Sequence, residues 1–198
     1  LDLTPVFAQQ SDLLSCYSRV DHHYTLKGAY VTYQSVCEAF GIRASEISIA
    51  ETQSDLLGTY NRKLYDLSPV REAMQVVQTP FPEYERLDNG AASDTPLIRI
   101  RGSGQSLYGD YMGGDIAETV IRTDRPELPN ALIFGDSFTN PVECLAYYSF
   151  NELRSVDLRH YTVQSLSDYI AAYQPDVVLC VRDYQSLLLR EFNGDFFS

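Results

Sequence analysis

Gly135-Asp136-Ser137 follows the apolar run Ala131-Leu132-Ile133-Phe134 and precedes Asn140-Pro141, a pair that opens a helix. A serine at such a strand-to-helix turn projects from the top of a sheet. Its own N–H, near a helix N-terminus, faces the place where an oxyanion develops. The glycine lets the backbone turn tightly. The plainer reading of the same tripeptide is a polar turn with a capping serine. A serine nucleophile needs a base within hydrogen-bond reach, and the base needs an orienting partner. The chain has three histidines, His22, His23 and His160. Asp21 and His23 are two apart, so in an extended segment both side chains point the same way. Asp21 then holds one ring nitrogen of His23 while the other faces Ser137, and His22 points oppositely, into the body of the fold. Two histidines capping a helix are the structural alternative.

Asp157 and His160 form a rival pair at a spacing of three. Asp157 falls in or near a strand and His160 follows within one turn, a placement better suited to building a neighbouring strand end. A metal site at Asp21-His22-His23 is a third reading. Adjacent histidines project to different sides, and no further His or Cys cluster supplies another ligand at a recognisable spacing.

The elements that must position these groups are legible from periodicity. Apolar residues Leu26, Tyr30, Tyr33, Cys37 and Phe40 predict a helix over 26–40, with Thr25 as N-cap and Gly41 as stop. Upstream, residues 13–20 read as extended, which places the two histidines at a hinge. From 131 onward strand and helix alternate: a strand at 131–134, a helix capped by Asn140 and running to about 149, a strand at 155–158, a helix at 165–173 broken by Pro175, and a strand at 176–181. Strands separated by single helices must be parallel, and their reactive groups lie beyond the carboxyl ends. The stretch 51–128, rich in glycine and carrying five prolines, reads as a β-rich or irregular insertion over that sheet, with one helix near 69–77.

Composition narrows the functions. The 198 residues are 44% apolar and 12% aromatic, enough for the core of one domain, with or without an inserted lobe. No apolar run approaches the roughly 18 residues that a membrane span needs, so none is expected here. Lys and Arg number 15 against 27 Asp and Glu, a net charge of −12. That field repels phosphate backbones and excludes nucleic acid as the expected partner. Cys16, Cys37, Cys144 and Cys180 form no CxxC pair and read as buried small hydrophobes, with a Cys16–Cys37 bridge left open for an exported protein. The chain opens at Leu1 without a Met or a charged, apolar leader, as expected of a processed protein or a piece of a longer one.

Asp21-His22-His23-Tyr24-Thr25 followed by Gly28-Ala29-Tyr30 resembles the block that opens a helix in DHHW-type proteins. Tyr111-Met112-Gly113-Gly114-Asp115, Ile133-Phe134-Gly135-Asp136-Ser137-Phe138 and Val156-Asp157-Leu158-Arg159-His160-Tyr161 match as well. With Asp-x-His first and Gly-Asp-Ser later, the order is the reverse of ordinary GDSL/SGNH hydrolases. It is similar to the rearranged SGNH-like domain of bacterial polysaccharide O-acetylation proteins, including those acting on alginate. Tyr24 stands where that family has Trp, and the family has a strand and helix ahead of the first residue here.

The resemblance, which spans about residues 10–190, implies a single SGNH-like domain over 1–198 with its insertion at 51–128. The implied fold is three-layer α/β/α around a flavodoxin-like parallel sheet. It implies Ser137 as nucleophile, His23 as base and Asp21 as orienter. Arg159, Asn140, Gly113, Gly114 and Tyr111 are implied around the oxyanion and the substrate. The expected activity is that of a serine esterase or O-acyltransferase on acetylated cell-envelope carbohydrate or a small ester, outside the cytoplasm of a bacterium, with an acyl-enzyme and with neither metal nor other cofactor. The alternative is a catalytically silent module of the same shape that binds carbohydrate or acts as a scaffold.

Overall fold

The helix expected at 26–40 forms, and its two ends are set by Thr25 and Gly41. The Thr25 hydroxyl oxygen accepts the N–H of Gly28 at 3.3 Å, and Gly41 closes the run at φ +66°, which glycine adopts without strain. The structure is a computed structural model that describes residues 1–65, 67, 70–102, 104–183 and 196. The chain divides into two compact units, Leu1–Phe81 with Pro96–Gly114, and Pro82–Thr95 with Asp115–Ser198.

The first unit contains α1 (Thr4–Ala8), α2 (Leu26–Ala39), β1 (Ile49–Asp55), α3 (Thr59–Lys63) and β2 (Ala73–Val77), with 3-10 turns at Leu13–Cys16 and Tyr108–Asp110. Phe7, Cys16 and Val31 form an apolar cluster against which Leu3 and Val6 pack. α2 lies hard against the first 3-10 turn, because a Cβ on Gly28 would stand 2.4 Å from the Cys16 carbonyl oxygen. Two expectations are corrected here. Residues 13–20 are not extended: 13–16 coil into the 3-10 turn, and the chain bends through 19–23. Within 69–77, residue 69 lies outside the described residues and Ala73–Val77 is a strand, antiparallel to β1 with Ile49 opposite Val77. Cross-strand pairing and the β-branched Val76 and Val77 override the apparent helical period.

The second unit contains β3 (Glu85–Asp88), β4 (Ala91–Ala92), β5 (Glu118–Arg122), β6 (Ala131–Gly135), α4 (Thr139–Ala146), β7 (Glu152–Asp157), α5 (Leu166–Tyr173) and β8 (Val177–Val181). They build a six-stranded sheet in the order β4-β3-β5-β7-β6-β8. β6 runs parallel to both β7 and β8, as expected, and is buried at every position. β5 and β3 add antiparallel pairings, so the fold is α/β with a mixed sheet rather than a wholly parallel one. The extra strands come from the stretch read as lying over the sheet. Its Asn89-Gly90 pair, at φ +50° and +79°, makes the two-residue hairpin turn that joins β3 to β4.

Alternate residues of β7 meet different helices. Val156 packs with Leu132, Phe134, Leu158, Leu166 and Tyr169 beneath α5, and the Arg154 guanidinium lies 3.9 Å from the centre of the Tyr173 ring. Ser155 instead donates to Glu143 of α4 at 2.6 Å. Each fully buried aliphatic or aromatic side chain here contributes about 1.5–3 kcal/mol. Ser165 caps α5 by accepting the Asp168 N–H at 3.2 Å, and Gln174 ends it at φ +52°. α4 begins at Thr139 without a side-chain cap, so Asn140 lies in its first turn and not at the cap. Cys16, Cys37 and Cys144 are buried, Cys180 is exposed on β8 contrary to expectation, and there is no disulfide among the described residues. Among them no helix is long and apolar enough to cross a membrane.

Candidate active site

The first unit carries an aspartate–histidine couple. His23 Nδ1 lies 2.5 Å from Asp21 Oδ1, and the same oxygen accepts the His23 backbone N–H at 3.2 Å. The two residues face one another as their spacing predicts, but through a tight bend and not an extended segment. Asp21 Oδ2 accepts the Thr59 N–H at 2.6 Å, from the first residue of α3. Gly58 permits this close seat: a Cβ there would stand 2.1 Å from the Val20 carbonyl oxygen and 2.9 Å from Asp21 Cβ. The Ser18 hydroxyl oxygen takes the Asp21 N–H at 3.0 Å, and its proton goes to Glu72 at 2.7 Å.

Burial alone would raise the Asp21 pKa, but hydrogen bonds from His23 and Thr59 outweigh it and hold the carboxyl well below the usual carboxylate range. An ionised Asp21 accepts best from an Nδ1–H, so this contact favours the tautomer that leaves Nε2 as the acceptor, the arrangement a general base needs. The His23 ring is 5% exposed and stacks on Tyr108 at 3.7 Å and 8°. His22 is the exposed one of the pair, the reverse of the expectation, because the bend turns its ring outward while Nδ1 stays 3.3 Å from Asp21 Oδ1.

Two further residues implied near the substrate sit in this unit. The Tyr111 hydroxyl donates to the Gln75 carbonyl at 2.7 Å, and its ring meets Tyr108 edge-on at 5.6 Å. Gly113 and Gly114 adopt φ +85° and +97°, and the Gly114 N–H closes a turn onto the Tyr111 carbonyl at 3.1 Å.

The second unit carries the Gly-Asp-Ser turn at the carboxyl end of β6. Ser137 is half-buried in a turn whose shape comes from Asp136, a residue given no role from sequence. Asp136 Oδ1 accepts the Phe138 N–H at 3.0 Å, Oδ2 accepts the Asp183 N–H at 3.0 Å, and its carbonyl accepts the Thr139 N–H at 2.9 Å. Gly135 is required for a different reason from the one expected. Its φ is not positive, but a Cβ there would stand 1.9 Å from the Val181 carbonyl oxygen of β8. Three residues after Ser137, Asn140 is 6% exposed. Among the described residues, no hydrogen-bond partner meets its Nδ2.

Arg159 follows β7, the strand beside β6. Its Nε and Nη2 grip both oxygens of Asp157 at 2.9 and 2.6 Å, and Nη2 reaches Asp115 at 3.1 Å. The bonds to Asp157 and the pull of both carboxylates raise its pKa further and outweigh the cost of burial. Of the rival pair, the Asp157 carboxylate is engaged by Arg159. In the helix below, burial raises the Glu143 pKa, although Ser155 and Thr139 partly offset that with hydrogen bonds.

Two groups have donor atoms within 4.8 Å of one another, as a shared ion would require: Asp21 with His22 and His23, and Asp115 with Asp157 and His160. In the first, both Asp21 oxygens already accept hydrogen bonds. In the second, a guanidinium supplies the positive charge.

Sequence reasoning missed Gly58, Thr59 and Tyr108. They come to the couple through tertiary contacts, and the glycine before a short helix was the one local signal available. No protein-family model and no curated protein matches the chain. Solved structures do. A DHHW family protein from Eubacterium siraeum matches with a TM-score of 0.77 at 20% identity, over 93% of this chain and 65% of that one. Bacillus cereus PatB1 with a sulfonyl adduct matches with a TM-score of 0.75 at 22% identity, over 98% of this chain and 69% of that one. This chain thus spans about two thirds of the length of each. The chain shares the fold of the DHHW family protein and of PatB1, in keeping with the likeness read from its Asp21-His22-His23-Tyr24 and Gly135-Asp136-Ser137 blocks.

Proposed function

We propose that the chain is a serine esterase or O-acyltransferase acting on acetylated cell-envelope carbohydrate, working outside the bacterial cytoplasm as a single SGNH-like domain of three-layer α/β/α build. The observation that carries the reading is the Asp21–His23 couple: a buried imidazole whose Nδ1 is 2.5 Å from an ionised carboxylate that α3 also holds. That arrangement prepares a base, and Ser137, at the carboxyl end of a buried parallel strand, is the nucleophile it serves. PatB1, whose fold this chain shares, carries a sulfonyl adduct, and sulfonyl groups are captured by an activated nucleophile, which is in keeping with a nucleophilic site in this fold.

In the proposed reaction, Ser137 Oγ attacks the acetyl carbonyl carbon while His23 Nε2 takes the hydroxyl proton. The carbonyl oxygen becomes an oxyanion that accepts from the Ser137 N–H, from Asn140 Nδ2 and from the Gly113 N–H. The Gly114 N–H closes its own turn, which favours Gly113 as the donor of that pair. The intermediate collapses, His23 returns the proton to the departing sugar oxygen, and Ser137 keeps the acetyl group. Water as the second acceptor, deprotonated by His23, releases acetate; a sugar hydroxyl in its place completes a transfer. Arg159 keeps its charge and orients the substrate beside the turn, while Tyr111 lines the approach. No metal or cofactor takes part in any step.

Acetate release from p-nitrophenyl acetate and from an acetylated glycan tests the reading. Turnover by the parent that Ser137→Ala and His23→Gln each abolish supports it. Equal turnover by the parent and Ser137→Ala removes it.

A further inference from the structure

Asp21 Oδ1 faces two imidazoles. His23 Nδ1 is 2.5 Å away and His22 Nδ1 is 3.3 Å away, and the two rings lie 3.8 Å apart at 39°. His23 is buried, but the His22 side chain is 43% exposed and exchanges protons with solvent. We propose that His22 is a positioning residue for His23: it shares the Asp21 carboxylate with the base and packs against its ring, so that its charge sets how firmly Asp21 holds the imidazole. This rests on the reading of His23 as the general base.

Besides the His23 backbone N–H, Oδ1 faces the Nδ1 atoms of both rings. While His22 is neutral, the shorter ring contact of Oδ1 is with His23, and the proton that reaches His23 during attack is stabilised by a carboxylate that faces no second cation from His22. When His22 is protonated, its Nδ1–H becomes a charged competitor for the same oxygen. A cation then stands 3.8 Å from the ring that must itself become cationic. Both effects oppose the imidazolium that catalysis needs, so protonation of the exposed histidine slows the buried one.

Among the described residues, other charged and titratable groups also reach the couple or its neighbours. Tyr108 stacks on His23 from the second 3-10 turn. Arg62 of α3 bonds to the Thr59 hydroxyl at 3.3 Å, and Thr59 in turn donates its N–H to Asp21. Glu72 accepts from the Ser18 hydroxyl and from the Arg19 N–H, with the Arg19 side chain 3.8 Å away.

The test uses the parent and His22→Gln, each with ¹³C-labelled histidine, followed by NMR from acid to alkaline pH, together with kcat for p-nitrophenyl acetate over the same range. The expected parent result is a His23 Cε1–H resonance that moves in two steps, one coincident with His22, and a kcat that falls in two steps on the acid side. In His22→Gln both curves reduce to one step, displaced to higher pH by about one unit, the scale at which coupled titration becomes visible. A single-step His23 curve in the parent that overlies that of His22→Gln overturns the proposal. The NMR readout needs no turnover. An inactive parent would therefore remove the esterase reading while leaving this result to be read on its own.

Discussion

The Thr59 N–H donates to Asp21 Oδ2 at 2.6 Å across 38 positions of sequence. The carboxylate that steadies His23 is thereby held by a helix start whose one local signal is Gly58. Its two oxygens serve different segments, Oδ1 the ring and backbone of His23 and Oδ2 the start of α3. The geometry of the couple is therefore set by the packing of α3 against the bend as much as by the Asp-x-His spacing.

Gly58→Ala is expected to disturb that packing without unfolding the chain. The added Cβ would meet the Val20 carbonyl oxygen at 2.1 Å, so the bend or α3 must shift and Asp21 loses its alignment. A displacement of that size lowers kcat by about 100-fold, with far-UV circular dichroism close to that of the parent. A parent-like kcat would contradict the role given to the α3 start.

Asp21→Asn is expected to lower kcat by about 10⁴-fold, because an amide cannot fix the imidazole in the Nδ1–H tautomer. The substitution also changes the response to acid. The Asp21 pKa is depressed in the folded chain, burial being outweighed by the bonds from His23 and Thr59. Its stabilising contribution is present above the ordinary carboxylate pKa and is lost as pH falls through the folded one. Urea midpoints measured between neutral pH and strong acid should therefore fall more steeply in the parent than in Asp21→Asn. Parallel curves would contradict this.

Glu143→Gln is expected to stabilise the chain at neutral pH. Burial raises the Glu143 pKa, so in the window between its ordinary and its folded value the native state binds the extra proton. Stability falls there as pH rises. A neutral amide of the same shape keeps an acceptor for the Ser155 hydroxyl and removes that fall. Thermal melts from pH 5 to 8 should show a Tm that declines in the parent and stays flatter and higher in the variant. A lower Tm for Glu143→Gln across that range would contradict the assignment.

Gly135→Ala is expected to cost about 3 kcal/mol or more, the class of penalty for overpacking a core backbone contact. The new Cβ would stand 1.9 Å from the Val181 carbonyl oxygen and 3.0 Å from Thr139 Cγ2, which forces β6 and β8 apart at the Ser137 turn. Denaturant unfolding measures the loss. An unchanged midpoint would mean that β8 does not pair with β6 as described.

The parts legible in the sequence were those decided by local chemistry. Thr25 and Gly41 fixed α2, alternation from 131 onward fixed the parallel strands, and the two-residue spacing of Asp21 and His23 paired them. The misread parts were decided elsewhere. Ala73–Val77 looks helical until β1 is available to pair with it, and β5 looks like an insertion until β7 is. The Asn89-Gly90 hairpin was a local signal that went unused. The opposite placement of His22 and His23 depended on a bend that spacing alone does not encode, and Tyr108 reaches His23 from a distant turn.

The central claim is that Ser137 is a hydroxyl activated by His23. A sulfonyl fluoride probe, read by mass spectrometry of the digested protein, tests it most directly. The account predicts one adduct on the parent, located on Ser137, absent from Ser137→Ala and formed at least about 100-fold more slowly in His23→Gln. No adduct on the parent, or labelling of Ser137 at the same rate with and without His23, would contradict it.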